Sequence, residues 1–187
     1  DSGDRKIYQL ISISPDGSNR KRISQDYIES QATISPDGKY LVYAINASSH
    51  KYLYIRGKFE DFEIPRNFDT REVFGKLGEV ADPEFAPEGF QMIYTKLDGN
   101  ESQLILITYT NISEYGALGI QSFNVSSSFY DFAPSWSPDA RWLALTSTRD
   151  YGDYEVYIMT TAGQPQVNLT DRKGIDKSPD WLPMPLE

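Results

Sequence analysis

Hydrophobic and polar residues alternate along most of the chain in short runs, which is the two-residue period of β-strands. The pattern is clearest in "KYLVYAIN", "QMIYTKL" and "RWLALTS", and a turn containing proline and an acidic residue precedes each run. Proline sets φ at the first corner of a β-turn, Asp accepts a local backbone hydrogen bond, and Gly supplies positive φ. The pattern therefore predicts hairpins, whose turn residues are Pro36, Asp37, Gly38, Pro87, Glu88, Gly89, Pro138 and Asp139.

The turn prolines recur at a constant distance, since Pro36, Pro87 and Pro138 are 51 residues apart. Each hairpin is followed by a polar loop, a third apolar run such as "QLILITY", and a weaker fourth run, clearest in "QVNLT". Four strands per unit of about 50 residues predict an all-β fold, a β-propeller of four-stranded antiparallel blades. The three complete blades are predicted at about 29–69, 80–126 and 131–171.

A fourth blade is predicted to be split between residues 1–24 and 178–187, so that 1–187 forms a single domain. The run "DSGDRKIYQL" aligns without a gap on "DYGDYEVYIM" at 150–159, which makes it a third strand, and Trp181 matches Trp136 in a first strand. The second strand of this blade has no counterpart in the sequence. Three alternatives follow: a compact four-bladed ring, a piece of a larger propeller such as a six-bladed one, or a blade completed by a strand from a partner.

The segment 132–181 resembles the TolB-type β-propellers, whose repeats read Pro-x-Trp-Ser-Pro-Asp-Gly, an apolar strand, Ser-x-Arg-Asp-Gly, Ile-Tyr and Leu-Thr. The visible departure in its turn is Ala140, where Gly is usual. The resemblance implies the fold far more strongly than a function, because such propellers serve as binding modules, peptidase gates and lyase scaffolds.

The composition narrows the classes of partner. A net charge of −9 argues against a nucleic-acid partner, whose phosphates require clustered Lys and Arg. No run approaches the ~20 apolar residues of a membrane span, and no signal-peptide pattern opens the chain. The chain has no cysteine, which excludes disulfides and thiolate metal sites. Together with the family resemblance, this predicts a periplasmic or extracellular location in a bacterium or an archaeon.

Candidate chemistry is sparse. His50 is the single histidine, and no GxSxG motif is present, so no catalytic residue is predicted. The acidic loops at 1–4 and 150–155 lack the ligand spacing of a calcium-binding EF-hand. We therefore predict neither a metal nor another cofactor.

The longest departure from the repeat is the stretch 109–131, and insertions on a regular scaffold often carry function. Its aromatic residues Tyr115, Phe123, Phe129 and Tyr130 are the predicted partner-binding loop, although such residues more often fill space between blades. The leading hypothesis is a non-catalytic protein-binding or scaffold module of an extracytoplasmic or cell-envelope assembly. The alternatives are the gate domain of a prolyl-oligopeptidase-like serine peptidase, with its catalytic domain elsewhere, and a carbohydrate-binding propeller.

Overall fold

The computed structural model describes residues 10–22, 28–47, 50–57, 79–99, 101–113, 116–118, 121–125, 129–150 and 153–182. Every regular element in these residues is a β-strand, so the predicted all-β class is confirmed. The strands are β1 (Ile11–Ser12), β2 (Lys21–Arg22), β3 (Ile28–Ile34), β4 (Tyr40–Ala47), β5 (His50–Gly57), β6 (Glu79–Phe85), β7 (Gln91–Asp98), β8 (Glu101–Thr108), β9 (Asn111–Ser113), β10 (Gly116–Leu118), β11 (Gln121–Asn124), β12 (Asp131–Trp136), β13 (Trp142–Ser147), β14 (Glu155–Thr160) and β15 (Gln166–Asn168).

Three antiparallel sheets follow one another along the chain. Sheet 1 has the order β3-β4-β5, sheet 2 the order β6-β7-β8-β11, and sheet 3 the order β12-β13-β14-β15. Each strand pairs with the next one of its sheet, as the repeated hairpins predicted. The segment 58–78, where the fourth strand of the first predicted blade would fall, lies outside the described residues.

The stretch that departs from the repeat contains a small insertion. Strands β9 and β10 pair with each other, and β11 returns to pair with β8 as the fourth strand of sheet 2. The insertion is therefore a hairpin placed between the third and fourth strands.

The Ser-Pro-Asp turns share one hydrogen-bond network. The Gly38 N–H donates to the Ser35 carbonyl at 2.8 Å, and the Ser35 hydroxyl donates to the Asp37 carboxylate at 2.6 Å. That hydroxyl bond holds the pKa of Asp37 below its usual value. The network recurs at 137–140, where Ala140 takes a φ of 56° although Gly is usual there. An L-residue thus occupies the left-handed region that the turn requires.

The two copies of "SPDG" differ in their surroundings. The copy at 35–38 joins the first and second strands of sheet 1, whereas the copy at 14–17 joins β1 and β2. In the latter copy Asp16 accepts the Ser18 hydroxyl at 2.7 Å and the Ser18 N–H at 2.9 Å. In the middle sheet, Glu88 and Gly89 occupy the corresponding turn, with a Gly89 φ of 79°. One sequence therefore serves two different hairpins.

Two clusters of buried apolar side chains join the three sheets. Alternate residues of β7 point in opposite directions: Met92 and Tyr94 pack toward sheet 1, and Ile93 packs toward sheet 3. Because both faces of sheet 2 are covered, its central strands have consecutive buried residues instead of the alternation of a half-exposed strand. The sheets therefore stack as a row, with sheet 2 in the middle.

The first strands of neighbouring sheets, β3, β6 and β12, are also joined by hydrogen bonds. The Phe85 N–H donates to the Thr33 hydroxyl at 3.1 Å, and the Trp136 N–H donates to the Glu84 carboxylate at 3.3 Å. The Trp136 indole N–H donates to the Glu84 carbonyl at 3.3 Å. The same contact thus recurs with the repeat and sets the spacing of the sheets.

Gly163 gives the first testable prediction. Its φ is 79°, and a Cβ there would lie 2.4 Å from the Val125 carbonyl oxygen, so Gly163→Ala combines backbone strain with a collision against sheet 2. We expect a loss of roughly 2–4 kcal/mol in the free energy of unfolding, measured by denaturant titration. Gly38→Ala is the matched control, because its φ is 71° with open space around it, and roughly 1–2 kcal/mol is expected. Equal losses for the two variants would contradict the role assigned to the close approach.

Candidate partner-binding site

Four aromatic side chains gather where sheets 2 and 3 meet, and we call Phe129, Tyr130, Phe132 and Tyr154 the aromatic cluster. The ring centroids of Tyr130 and Phe132 are 5.3 Å apart, and those of Phe132 and Tyr154 are 5.7 Å apart, with the latter pair edge to face. Phe129 is 42% exposed, and the other three are half-buried. The cluster therefore presents ring surface to solvent, while the rings of Tyr130, Phe132 and Tyr154 pack on one another.

A buried ion pair lies beneath the cluster. Nη2 of Arg149 is 2.9 Å and 3.0 Å from the two carboxylate oxygens of Asp131, and the side chains of both residues are almost fully buried. The guanidinium also lies 4.4 Å from the ring centroid of Tyr157 and 5.6 Å from that of Phe129. It further donates to the Gln166 side chain. The guanidinium is therefore held by several partners, and the Phe129 ring lies within cation–π distance of it.

The backbone under the aromatic cluster is tied to both sheets. Ser102 of β8 donates its N–H to the Phe129 carbonyl at 3.3 Å and its hydroxyl to the Asp131 carbonyl at 2.7 Å. Thr148, just after β13, donates to the Tyr130 carbonyl at 3.3 Å. Because hydrogen bonds from sheet 2 and sheet 3 hold the backbone of residues 129–131, the positions from which these side chains project are fixed.

Two exposed acidic residues lie next to the aromatic cluster along the backbone. Asp153 precedes Tyr154 and is exposed, and the exposed Glu101 precedes Ser102, whose bond to Phe129 brings that hairpin alongside. Ring faces and edges can pack on apolar or aromatic groups, and ring faces also attract cations. The exposed ring surface is therefore suited to binding another molecule.

The structure brings together two of the predicted binding residues, Phe129 and Tyr130. Tyr115 lies outside the described residues, and Phe123 is described only by its backbone, which pairs with Leu106. The two ends of the remaining 109–125 stretch are structural, since each supplies a buried core residue. These two core residues are Tyr109 and Val125.

Sequence reasoning missed Phe132, Tyr154 and Arg149 as members of this site. Phe132 and Tyr154 fit the alternation of a strand, so the sequence pattern assigned them to the repeat and not to a binding site. Arg149 belongs to the family motif Ser-x-Arg-Asp, present here as "STRD", which was the available signal for a structural ion pair.

A second buried polar site lies on the first strands. The Glu84 carboxylate accepts the Trp136 N–H through Oε1, and Oε2 has no partner among the described residues. Burial raises the pKa of Glu84 to about 7, and the negative charge of Asp180 adds to the effect. Ser135 stands between the two acids and donates to Asp180 at 3.4 Å. This carboxyl group therefore changes charge near neutral pH.

The described residues contain neither a cluster of metal ligands nor a membrane-spanning helix. No three His, Cys, Asp or Glu side chains in that part of the chain stand close enough to hold a metal ion. Likewise, no helix there has the length and apolar character needed to cross a membrane.

Known sequences provide partial matches. No protein-family model matches the chain. The uncharacterized peptidase YuxL of Bacillus subtilis is 33% identical over 115 residues, which are 61% of this chain and 17% of that protein. The Tol-Pal system protein TolB of Alcanivorax borkumensis is 37% identical over 51 residues, which are 27% of this chain and 12% of that protein. The chain thus spans less than a fifth of the length of these curated relatives.

Solved structures match over nearly the whole chain. TolB from Acinetobacter baumannii superposes with a TM-score of 0.67 at 20% identity, covering 95% of this chain and 46% of that one. A putative TolB from Agrobacterium tumefaciens gives a TM-score of 0.61 at 17% identity, covering 81% and 52%. The chain spans about half the length of these structures. The predicted fold is confirmed: the chain has the β-propeller fold of these TolB structures.

Proposed function

We propose that the chain is a non-catalytic, protein-binding propeller module that docks its partner through the aromatic cluster. The observation that carries this proposal is the Phe129 ring, 42% exposed and 5.6 Å from the buried Arg149 guanidinium, which adjoins Tyr130 in a segment whose other rings pack on one another. Aromatic side chains are enriched among the residues that dominate protein interfaces.

The preorganisation of the aromatic cluster favours binding. Ordering mobile side chains on association costs about 0.5–1.5 kcal/mol each, and a ring that is already packed avoids much of that cost. The hydrogen bonds from Ser102 and Thr148 hold the backbone of 129–131 in the same way. The cluster therefore has the physical character of an anchor.

We further propose an extracytoplasmic location in a bacterial cell envelope. The support is that one relative is named as a protein of the Tol-Pal system. The named relatives and neighbours are bacterial, so the archaeal alternative receives no support from them.

Site-specific photo-crosslinking tests the docking surface. A benzophenone amino acid is placed at Phe129, at Tyr154, or at Phe90 as the matched control, and the protein is irradiated in the envelope of the source organism. Phe90 is 58% exposed but lies in the turn before β7, outside the aromatic cluster. We expect Phe129 and Tyr154 to give the same protein adduct and Phe90 to give none, as judged by gel shift and mass spectrometry.

Two results would contradict the proposal. One is an identical adduct from all three positions, which would indicate non-selective contact. The other is the absence of a protein adduct from Phe129 and Tyr154 while the folded protein is present.

A second candidate function is favoured by the match to YuxL, which bears the name of a peptidase. In this alternative the propeller is the gate of a serine peptidase whose catalytic domain lies elsewhere. Sequencing the encoding gene distinguishes the two: an α/β-hydrolase domain with GxSxG in the same reading frame would favour the gate.

A further inference from the structure

The charged residues of the chain are distributed unevenly between the two edges of the row of sheets. Segments 98–101, 129–131 and 148–155, which we call the acidic edge, contain six acidic residues and one basic residue, Arg149. Their net charge of −5 is more than half of the −9 of the whole chain, although they contain only 15 of its 187 residues. Residues 126–128 are serines and add no charge. The negative charge is thus concentrated in the loops that include or adjoin the aromatic cluster.

The turns at the opposite edge, which join the first and second strands of the three sheets, are nearly neutral. Each contains one acidic residue, and in two of them a basic residue two positions later pairs with it. Asp37 lies 3.3 Å from Lys39, and Asp139 lies 3.9 Å from Arg141. In the middle turn Glu88 has no such basic neighbour in the sequence. The two edges therefore differ in charge, and the aromatic cluster lies at the negative one.

Backbone contacts place the acidic edge beside the aromatic cluster. The Ser102 N–H donates to the Phe129 carbonyl at 3.3 Å, and Glu101 immediately precedes that serine. Asp98 pairs with Glu101 at the tip of the β7–β8 hairpin, so both acids lie at the end of the hairpin that meets Phe129. Asp153 directly precedes a tyrosine of the cluster. A molecule that covers the exposed Phe129 ring therefore comes close to these carboxylates.

The acidic edge keeps three of its six carboxylates exposed to solvent. The other three are engaged within the protein, since they accept hydrogen bonds from Arg149, Asn168 and Thr170. No ion pair joins the exposed three to another described residue. These three are Asp98, Glu101 and Asp153. The neighbouring segment 171–177 contains three basic and two acidic residues, so the region as a whole remains negative.

We propose that the partner presents a cationic segment to the aromatic cluster, with an arginine or lysine beside an apolar side chain. The inference rests on the proposed function, because it specifies the chemistry of the partner that this surface docks. An arginine or lysine can lay its apolar stem along the exposed Phe129 ring and direct its charged end to the exposed carboxylates. Aromatic ring faces also attract cations. A partner segment rich in acidic residues is repelled by the net charge of the acidic edge.

Titration of the isotopically labelled full chain with synthetic peptides tests the charge preference, with amide chemical shifts as the readout. The probe is a peptide with Arg-Trp-Arg between Gly-Ser flanks, and the corresponding Glu-Trp-Glu peptide is its control. We expect the arginine peptide to shift the amides of Ser102, Phe129 and Asp153 and to bind about tenfold more tightly than the glutamate peptide. Its affinity should fall as the salt concentration rises, because salt screens exposed charges. Equal affinity of the two peptides, or shifts confined to the turns of the opposite edge, would overturn the proposal.

Charge variants separate this inference from the proposed function. Glu101→Gln and Asp153→Asn should each weaken binding of the arginine peptide roughly two- to fivefold, whereas Glu88→Gln, at the opposite edge, should leave it unchanged. The double variant Glu101→Gln with Asp153→Asn, carrying the benzophenone amino acid at Phe129, should form much less of the protein adduct than the native background. An adduct of undiminished yield overturns the cationic partner but leaves the docking surface standing. Absence of the adduct from both backgrounds contradicts the proposed function and this inference together.

Discussion

Replacing Arg149 with Met is expected to lower the free energy of unfolding by roughly 3–5 kcal/mol, the cost of leaving one partner of a buried ion pair without the other. Asp131 is fully buried, and Nη2 of Arg149 bonds both of its carboxylate oxygens. Met retains much of the side-chain length, but it cannot compensate the negative charge of Asp131 or donate a hydrogen bond to its carboxylate oxygens. The measurement is chemical denaturation followed by tryptophan fluorescence.

The matched control is Arg172→Met, which removes an arginine from an exposed pair with Asp176. The Arg172 side chain is 72% exposed and its pair is screened by solvent, so a far smaller change in the free energy of unfolding is expected. The double variant Arg149→Met with Asp131→Asn removes both charges and should lose less than the sum of the two single variants. Additive losses would show that the two residues act independently, contrary to their geometry.

Glu84→Gln is expected to remove a pH dependence of stability between about pH 4.5 and pH 7. Burial raises the pKa of Glu84 in the folded protein from 4.5 to about 7. The neutral carboxyl is therefore favoured by folding: its contribution is complete below pH 4.5 and is lost as the pH rises through 7. The difference corresponds to an upper limit on the order of 3 kcal/mol.

The Gln variant should therefore be more stable than the native protein at pH 8 and similar to it near pH 4.5, as measured by thermal unfolding across this range. Gln retains the oxygen that accepts the Trp136 N–H, so the structural contact is preserved. Glu88→Gln, in the exposed turn of the same sheet, is the control and should leave the pH profile unchanged. A native profile that is flat from pH 4.5 to pH 8 would exclude the assigned role of Glu84.

The aromatic cluster shows why prediction of the site was partial. Phe129 and Tyr130 were found because they fall in the stretch that breaks the repeat. Phe132 and Tyr154 lie within the repeat, where an aromatic residue is equally compatible with a core position. Their exposure depends on which neighbouring sheet covers them, and the period of a strand carries no information about that.

Glu84 illustrates the same limit for charge. In the sequence it is one of 27 acidic residues and stands in a strand of mixed character. Its burial and its bond come from Trp136, which is 52 residues away and belongs to the next sheet. The shifted pKa of Glu84 therefore arises from the packing of two repeats, and the sequence of either repeat alone does not indicate it.

The sequence alone determined the all-β class, the turns and the 51-residue period, because alternation and turn chemistry are local properties of a few adjacent residues. The tertiary structure decided which groups are buried together: the pair of Arg149 with Asp131, the burial of the Glu84 carboxyl against Trp136, and the contact of residues 176–182 with sheet 3. These features depend on contacts between sheets, where burial and charge are set by residues distant along the chain.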